Sequence, residues 1–244
     1  MPAITTHNLQ KHFDGVRAAD KLSIAIPEAK IIGLVGPNGS GKTTLTNILT
    51  GMVPFEAGAV IFGPGVELKV IRPCEVAAHG VTRTFQNIRL FEQMTVLDNL
   101  LVVLTKRPVL SSLFERDGKD REARSKELLE RVGIWEKRHE LAKNLSYGQR
   151  KLMEISRALA MDPEIILLDE PFAGLFPEMV KLVKSIVMEL RERGKTVMLI
   201  EHDMQIIRDL CDYVFVLDAG KLLAEGEPDE VLQKREVIEA YLGD

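Results

Sequence analysis

The sequence predicts an α/β domain: a mostly parallel sheet covered on both faces, preceded by a half-exposed antiparallel sheet and interrupted by an inserted helical lobe. Three observations carry this prediction. Short apolar strand segments alternate with helical segments in the second half, at Glu164–Asp169 and Thr196–Glu201, as buried parallel strands do. The first thirty residues alternate apolar and polar at Ile4, Leu9, Phe13, Leu22, Ile24 and Ile26, which is the period of two or three strands with one wet face. Between about Asn87 and Lys143 strand signals vanish and helical patterns replace them.

Composition sets the outer bounds. The 244 residues carry 32 Lys and Arg against 36 Asp and Glu, a net charge of -4, with 45% hydrophobic and 28% charged residues. Collagen-like, low-complexity and largely disordered chains are excluded. The mild acidity argues against a dedicated nucleic-acid binder, which shows a basic surplus or stripe. No apolar run approaches the roughly 18 residues of a membrane span. Met1–Gln10 has no basic stretch followed by an apolar one, so no signal peptide is expected. The expected location is the cytoplasm, with any membrane association supplied by other proteins. Cys74 and Cys211 lie far apart without metal-ligand spacing, as idle or buried thiols in a reducing compartment do.

The elements follow in order. Ile31–Val35 is a short apolar strand, Gly36–Gly41 a glycine-rich turn, and Lys42–Leu49 a helix that stops at Gly51. A short strand is expected at Ala59–Phe62. In the lobe, Thr95–Leu104 is an apolar helix. Asp120–Val132 is a charged one, whose Glu122/Lys126 and Glu127/Arg131 pairs mark a solvated face. Helices are expected at Ser146–Met161, Glu178–Arg193 and Met204–Cys211. Val214–Leu217 pairs with Lys221–Glu225 around Asp218-Ala219-Gly220. The whole, 1–244, reads as a single domain, with 1–86 and 153–244 forming the α/β core and 87–152 the helical subdomain.

Gly36-Pro37-Asn38-Gly39-Ser40-Gly41-Lys42-Thr43 fits the eight-residue phosphate-loop pattern, with the apolar strand before it and the helix after it. Glycines let successive N–H groups turn inward around an anion, and the helix start adds positive potential. Lys42 is placed to reach the β- and γ-phosphates, Thr43 to ligate Mg²⁺, and Thr44 to touch the α-phosphate. Glu164-Ile165-Ile166-Leu167-Leu168-Asp169-Glu170 is the matching acidic strand. Its carboxylates emerge at the carboxyl end, where open α/β sheets bind ligands. Asp169 is a candidate Mg²⁺ ligand, directly or through water. Glu170 is a candidate for orienting or deprotonating the attacking water, a group that a mere phosphate binder does not need. At this point the class stays open. The chain has no Asn-Lys-x-Asp guanine reader and no sign of a kinase acceptor site or lid.

Leu145-Ser146-Tyr147-Gly148-Gln149 precedes a long helix about twenty residues before Asp169. It resembles the signature motif of ABC-type ATPases, usually Leu-Ser-Gly-Gly-Gln. Ser146 can cap that helix, whose start is a second anion site. Two anion sites on one chain fit a two-fold dimer in which each nucleotide lies between the phosphate loop of one copy and Ser146, Gly148 and Gln149 of the other. The resemblance extends from about Ile4 to Leu242 and implies a phosphate-loop NTPase core. By resemblance Gln86 is the glutamine that senses Mg²⁺ and water, His202 the switch histidine that contacts the γ-phosphate and holds Glu170, and Phe13 the aromatic stacked on adenine. Taken alone, Gln86 is an anonymous loop residue, His202 a structural histidine and Phe13 a core side chain. Two positions depart from the family pattern: Tyr147 stands where glycine is usual, and Phe176 where the D-loop carries Asp or Asn.

Leu-Ser-Tyr-Gly-Gln followed by Arg150, Lys151 and Leu152, the ending Val237–Gly243 and the length of the 105–125 insert resemble the ATPases of branched-chain amino-acid importers. That resemblance implies uptake of a small polar solute, with ATP and Mg²⁺ as the working ligands. The expected assembly is a homodimer or a heterodimer with a second ABC ATPase, peripheral on the inner face of the membrane. It would act with permease subunits and, indirectly, a solute-binding protein. Importers of urea or amides would look alike. Ile88, Leu90, Phe91 and Met94 are equally candidates for gripping the permease and for lobe core. Rival readings are a non-transport ABC ATPase, which needs a coiled-coil insert or second cassette, and a regulatory protein that no longer hydrolyses nucleotide.

Overall fold

A computed structural model describes residues 1–65, 67–105 and 116–242, without the side chains of 116–119. The strands are β1 Pro2–Phe13, β2 Val16–Leu22, β3 Ala25–Pro27, β4 Ile31–Val35, β5 Ala57–Phe62, β6 Glu67–Leu68, β7 Val81–Arg83, β8 Ile165–Asp169, β9 Thr196–Ile200, β10 Tyr213–Asp218 and β11 Lys221–Gly226. The helices are α1 Lys42–Leu49, α2 Pro73–Val76, α3 Val96–Leu104, α4 Arg116–Arg131, α5 Tyr147–Ala160, α6 Pro177–Glu192, α7 Met204–Leu210, α8 Pro228–Val231 and α9 Arg235–Leu242. The chain divides into two units. The first comprises Met1–Arg83, Glu164–Glu170 and Lys184–Asp244, and the second Thr84–Pro163 and Pro171–Val183.

The first unit holds both sheets. One is antiparallel, in the order β2-β1-β5-β6 with β3 paired to β1. The other runs β11-β10-β4-β9-β8-β7 and is parallel apart from the β10–β11 hairpin. Every residue of β4, β8 and β9 is buried, as expected of strands covered on both faces. A single apolar core of Ile4, Leu9, Ile26, Leu45, Ile48, Val60, Leu167 and Phe215 joins the two sheets and α1. The parallel register pairs Leu34 with Ile200 and Ile200 with Asp169. The carboxyl ends of β4, β9 and β8 therefore stand side by side, and everything that follows those three strands emerges at one edge.

The second unit is helical. α3, α4 and α5 pack on one another and bury Val96, Leu100, Leu128, Leu129, Leu152 and Met153. Thr95 caps α3, its hydroxyl accepting from Asp98 N at 3.0 Å. Asn99, fully buried, pins the preceding loop: its Nδ2 donates to Phe91 O and Thr95 O, and its Oδ1 accepts from Phe91 N, all at 3.0 Å. Trp135 carries the Arg138 guanidinium 4.5 Å from its ring and the Lys126 ammonium at 5.9 Å. Residues 106–115 of the 105–125 insert used in the resemblance lie outside the described residues. α5 runs unbroken through the 152/153 boundary drawn from the sequence. The short strand expected at Ala59 begins at Ala57, and β6, β7, α2, α8 and α9 were not anticipated. Cys74 is exposed, Cys211 buried, and both thiols are free.

Candidate functional site

The glycine-rich turn links β4 to α1. Gly36 has φ 146° and Gly41 φ 106°, conformations that L side chains rarely adopt. A Cβ at Gly36 would stand 2.1 Å from Leu217 O, and one at Gly41 2.4 Å from Ala18 O. The loop is thus clamped between β2 and the β10–β11 turn, and the Gly220 N to Ser40 O hydrogen bond of 3.0 Å closes the clamp. Ser40 is buried, whereas Asn38, Gly39 and Thr43 are exposed and Thr44 half-buried. Lys42 is 6% exposed and turns its ammonium back under the loop. Its Nζ donates to Gly36 O at 2.7 Å and Pro37 O at 2.8 Å. A buried ammonium held by carbonyls within the loop is a cation stationed where an anion would be cradled.

The acidic strand ends at the same edge. Asp169 Oδ2 accepts from Arg83 Nη2 at 2.7 Å, and Arg83 Nη1 donates to Asn47 Oδ1 on α1 at 2.6 Å. The Arg83 and Asp169 side chains are only 5% and 8% exposed. Glu170 follows with φ 47°, a left-handed conformation for a non-glycine residue, held by its N–H donating to Ile200 O at 2.9 Å. Backbone strain of this kind costs on the order of 1–3 kcal/mol and collects at functional sites. His202 follows β9, and its Nε2 lies 3.3 Å from Glu170 Oε1. The structure therefore gathers Asp169, Glu170 and His202 at one strand edge. Phe13 is 43% exposed at the β1–β2 turn, away from the core, with the Lys11 ammonium 5.0 Å from its ring.

Gln86, Ser146, Gly148 and Gln149 lie in the second unit. Gln86 is exposed. The loop around it is tied to α5 by Glu154, whose Oε1 accepts from Phe85 N at 3.3 Å and Arg89 N at 3.2 Å. Burial pushes the Glu154 carboxyl up from its usual range, against the lowering effect of those two N–H donors. Phe91 is 48% exposed with the Arg157 guanidinium 4.9 Å from its ring, while Ile88, Leu90 and Met94 are half-buried. Ser146 and Gln149 form a reciprocal capping box: Gln149 N donates to Ser146 Oγ at 3.3 Å, and Ser146 N to Gln149 Oε1 at 3.1 Å. The Tyr147 ring lies over Gly174, where a Cβ would come 2.9 Å from Tyr147 Cε1. Met179 and Leu175 fill the space beside Gly148. Phe176 is 72% exposed.

Sequence reasoning missed Arg83, Asn47 and Glu154. Only Arg83 left a trace, as a lone cation three residues before Gln86 in Arg83-Thr84-Phe85-Gln86.

A profile of the ABC transporter family matches residues 19–173. The chain is 38% identical to the high-affinity branched-chain amino acid transport ATP-binding protein LivG of Salmonella typhimurium, over 100% of this chain and 98% of that protein. It is 36% identical, over 100% and 98%, to the lipopolysaccharide export system ATP-binding protein LptB of Escherichia coli strain K12. Among solved structures, the ADP conformation of an ATP-binding cassette from an ABC transporter matches 100% of both chains with a TM-score of 0.85 and 34% identity. With a glycine-rich strand-to-helix loop, an acidic strand end and a capped second helix start on one chain, these matches make the protein a member of the ABC transporter family, as an ATP-binding subunit.

Proposed function

We propose that the chain powers uptake of branched-chain amino acids through partner permeases, by binding two ATP molecules between two facing ATPase subunits and hydrolysing them. The observation that carries the hydrolytic part is the 3.3 Å approach of His202 Nε2 to Glu170 Oε1, beside a strand-end aspartate and one strand from the phosphate loop. Backbone N–H groups of Gly36 and of Asn38 to Gly41 hold the β-phosphate, with exposed Asn38 and Gly39 forming the rim and Ser40 buried. Lys42 exchanges the carbonyls of Gly36 and Pro37 for β- and γ-phosphate oxygens. Thr44 touches the α-phosphate and Phe13 the adenine face. Thr43 and Asp169 offer hydroxyl and carboxylate oxygens, a hard donor set that suits Mg²⁺. Bound there, Mg²⁺ would neutralise charge on the phosphates. Glu170 accepts a proton from the attacking water or orients it, and His202 holds the Glu170 carboxylate in place.

In this reading Ser146, Gly148 and Gln149 of a second subunit close over the nucleotide. Because the capping box commits one oxygen of each of Ser146 and Gln149 to the helix start, that surface is preorganised before closure. Exposed Phe91 with its neighbours Ile88, Leu90 and Met94 meets the permease. The solute assignment rests on the likeness to the LivG protein. The similar likeness to a lipopolysaccharide export ATPase supports the rival direction of transport.

Replacing Glu170 by Gln tests the chemistry. ATP binding persists, turnover falls about 10²–10⁴-fold, and ATP drives the chain into a dimer visible by light scattering. A monomer at saturating ATP and Mg²⁺ would sink the facing-subunit arrangement. Deleting the gene and following labelled leucine uptake tests the solute. Unchanged uptake together with lipopolysaccharide retained at the inner membrane decides for export.

A further inference from the structure

Behind Asp169 the structure holds a clasp whose other two members, Arg83 and Asn47, the proposed chemistry does not use. Arg83 ends β7, Asn47 lies on α1, and Asp169 ends β8. The guanidinium spans the gap, with Nη1 on Asn47 Oδ1 at 2.6 Å and Nη2 on Asp169 Oδ2 at 2.7 Å. Both ionic partners are almost fully buried. A buried ion pair gains little net stability over apolar packing, so its value lies in geometry. A planar fork with two engaged nitrogens fixes distance and angle in a way that a point charge cannot. What it fixes here is the helix that carries the phosphate loop against the carboxylate at the end of the acidic strand. The chain also passes from the first unit to the second immediately after Arg83, and again one residue after Asp169, at Glu170/Pro171.

We propose that Arg83 is a positioning residue for the metal-dependent step. It holds Asp169 by one oxygen and spaces it from α1 through Asn47, so that the carboxylate meets Mg²⁺ in a single orientation. The inference rests on the reading of Asp169 as a Mg²⁺ ligand, and it concerns the residue behind that ligand. Partners that orient a metal-binding group usually change metal affinity about 10- to 100-fold when removed.

The test is equilibrium dialysis of labelled ADP with the full chain, without Mg²⁺ and across a MgCl₂ series, using wild type, Arg83→Met, Arg83→Lys and Asn47→Ala. Affinity without Mg²⁺ stays within about threefold of wild type in every variant, because the phosphate loop is untouched. The Mg²⁺ concentration that half-restores tight binding rises about tenfold in Arg83→Met. It rises less in Arg83→Lys, which keeps the charge but reaches one partner, and in Asn47→Ala, which keeps the ion pair but frees it from α1. A folded Arg83→Met with an unchanged midpoint overturns the proposal. A lowered midpoint does too, since it would make Arg83 merely a competing cation. If Arg83→Met does not fold, an unchanged midpoint in Asn47→Ala overturns it instead. Wild-type binding that ignores Mg²⁺ removes the reading of Asp169 and this inference together, whereas an unresponsive variant removes the inference alone.

Discussion

The phosphate loop and the signature segment both depend on glycine, and they depend on it differently. At Gly36 and Gly41 the obstacles to a side chain are backbone carbonyls, Leu217 O at 2.1 Å and Ala18 O at 2.4 Å. At Gly148 the nearest obstacle is Met179 Sδ at 2.5 Å, and at Gly174 it is the Tyr147 ring at 2.9 Å. A backbone oxygen inside a sheet or turn cannot step aside, but a methionine sulfur or a tyrosine ring can change rotamer. The loop is therefore sterically closed to change at Gly36 and Gly41, though not at Gly39, where a Cβ would meet nothing within 4 Å, and the signature segment is open to it. This accounts for the departure at Tyr147. A large ring fits the signature because it leans over Gly174, which offers a flat, side-chain-free seat.

The hardest test of that contrast is Gly36→Ala. It forces the loop to move, and nucleotide binding measured by calorimetry falls at least about 100-fold; binding within tenfold of wild type would show that the loop yields after all. Next comes Gly174→Ala, which combines a φ of 69° with the tyrosine ring. It destabilises by about 1–3 kcal/mol in urea denaturation. Adding Tyr147→Ala recovers the steric share of that loss, and a double variant no better than the single would mean that the ring is not the obstacle. Gly148→Ala is expected to change stability by less than about 1 kcal/mol, because the helix preference for alanine offsets the displaced Met179 end.

The smallest effect sharpens the comparison through charge. The raised Glu154 carboxyl favours its protonated form in the folded state, so its contribution is full below the ordinary carboxylate range and is lost as pH rises through the folded value. Glu154→Gln has no such titration and still offers an acceptor to Phe85 N and Arg89 N. The urea midpoints of variant and wild type thus diverge in the variant's favour as pH rises. A constant difference would mean that Glu154 does not titrate with folding.

Much of the strand edge was readable from local pattern. The phosphate loop and the acidic strand each show a pattern within eight or fewer consecutive residues, whereas His202 was singled out only through the family resemblance; the parallel register sets the ends of β4, β9 and β8 side by side. β7 escaped because it is three residues long, pairs among the described residues only with β8, and reads Val-Thr-Arg with no usable period. The Arg83 clasp escaped for another reason. Its partners are 36 and 86 residues away, and no periodicity reports such a meeting. Glu154 sits at a position where an amphipathic helix is free to carry a surface acid, so its burial is invisible until the loop around Phe85 and Arg89 is placed. Tyr147 and Phe176 stand out in sequence as oddities, but only the structure shows that one of them has a seat.

Trp135 is the only tryptophan in the sequence, and it belongs to the helical unit with cations at 4.5 and 5.9 Å from its ring. The molecule thus carries an unlabelled optical reporter confined to one half. The field of a nearby cation on the indole depends on their spacing, so red-edge-excited emission from Trp135 follows rearrangement of the segment that holds Lys126, Trp135 and Arg138. Near-ultraviolet signals from the tyrosines and phenylalanines sample both halves. Comparing the two channels during a nucleotide titration separates events at the phosphate loop from events in the lobe, in the native chain and without a dye.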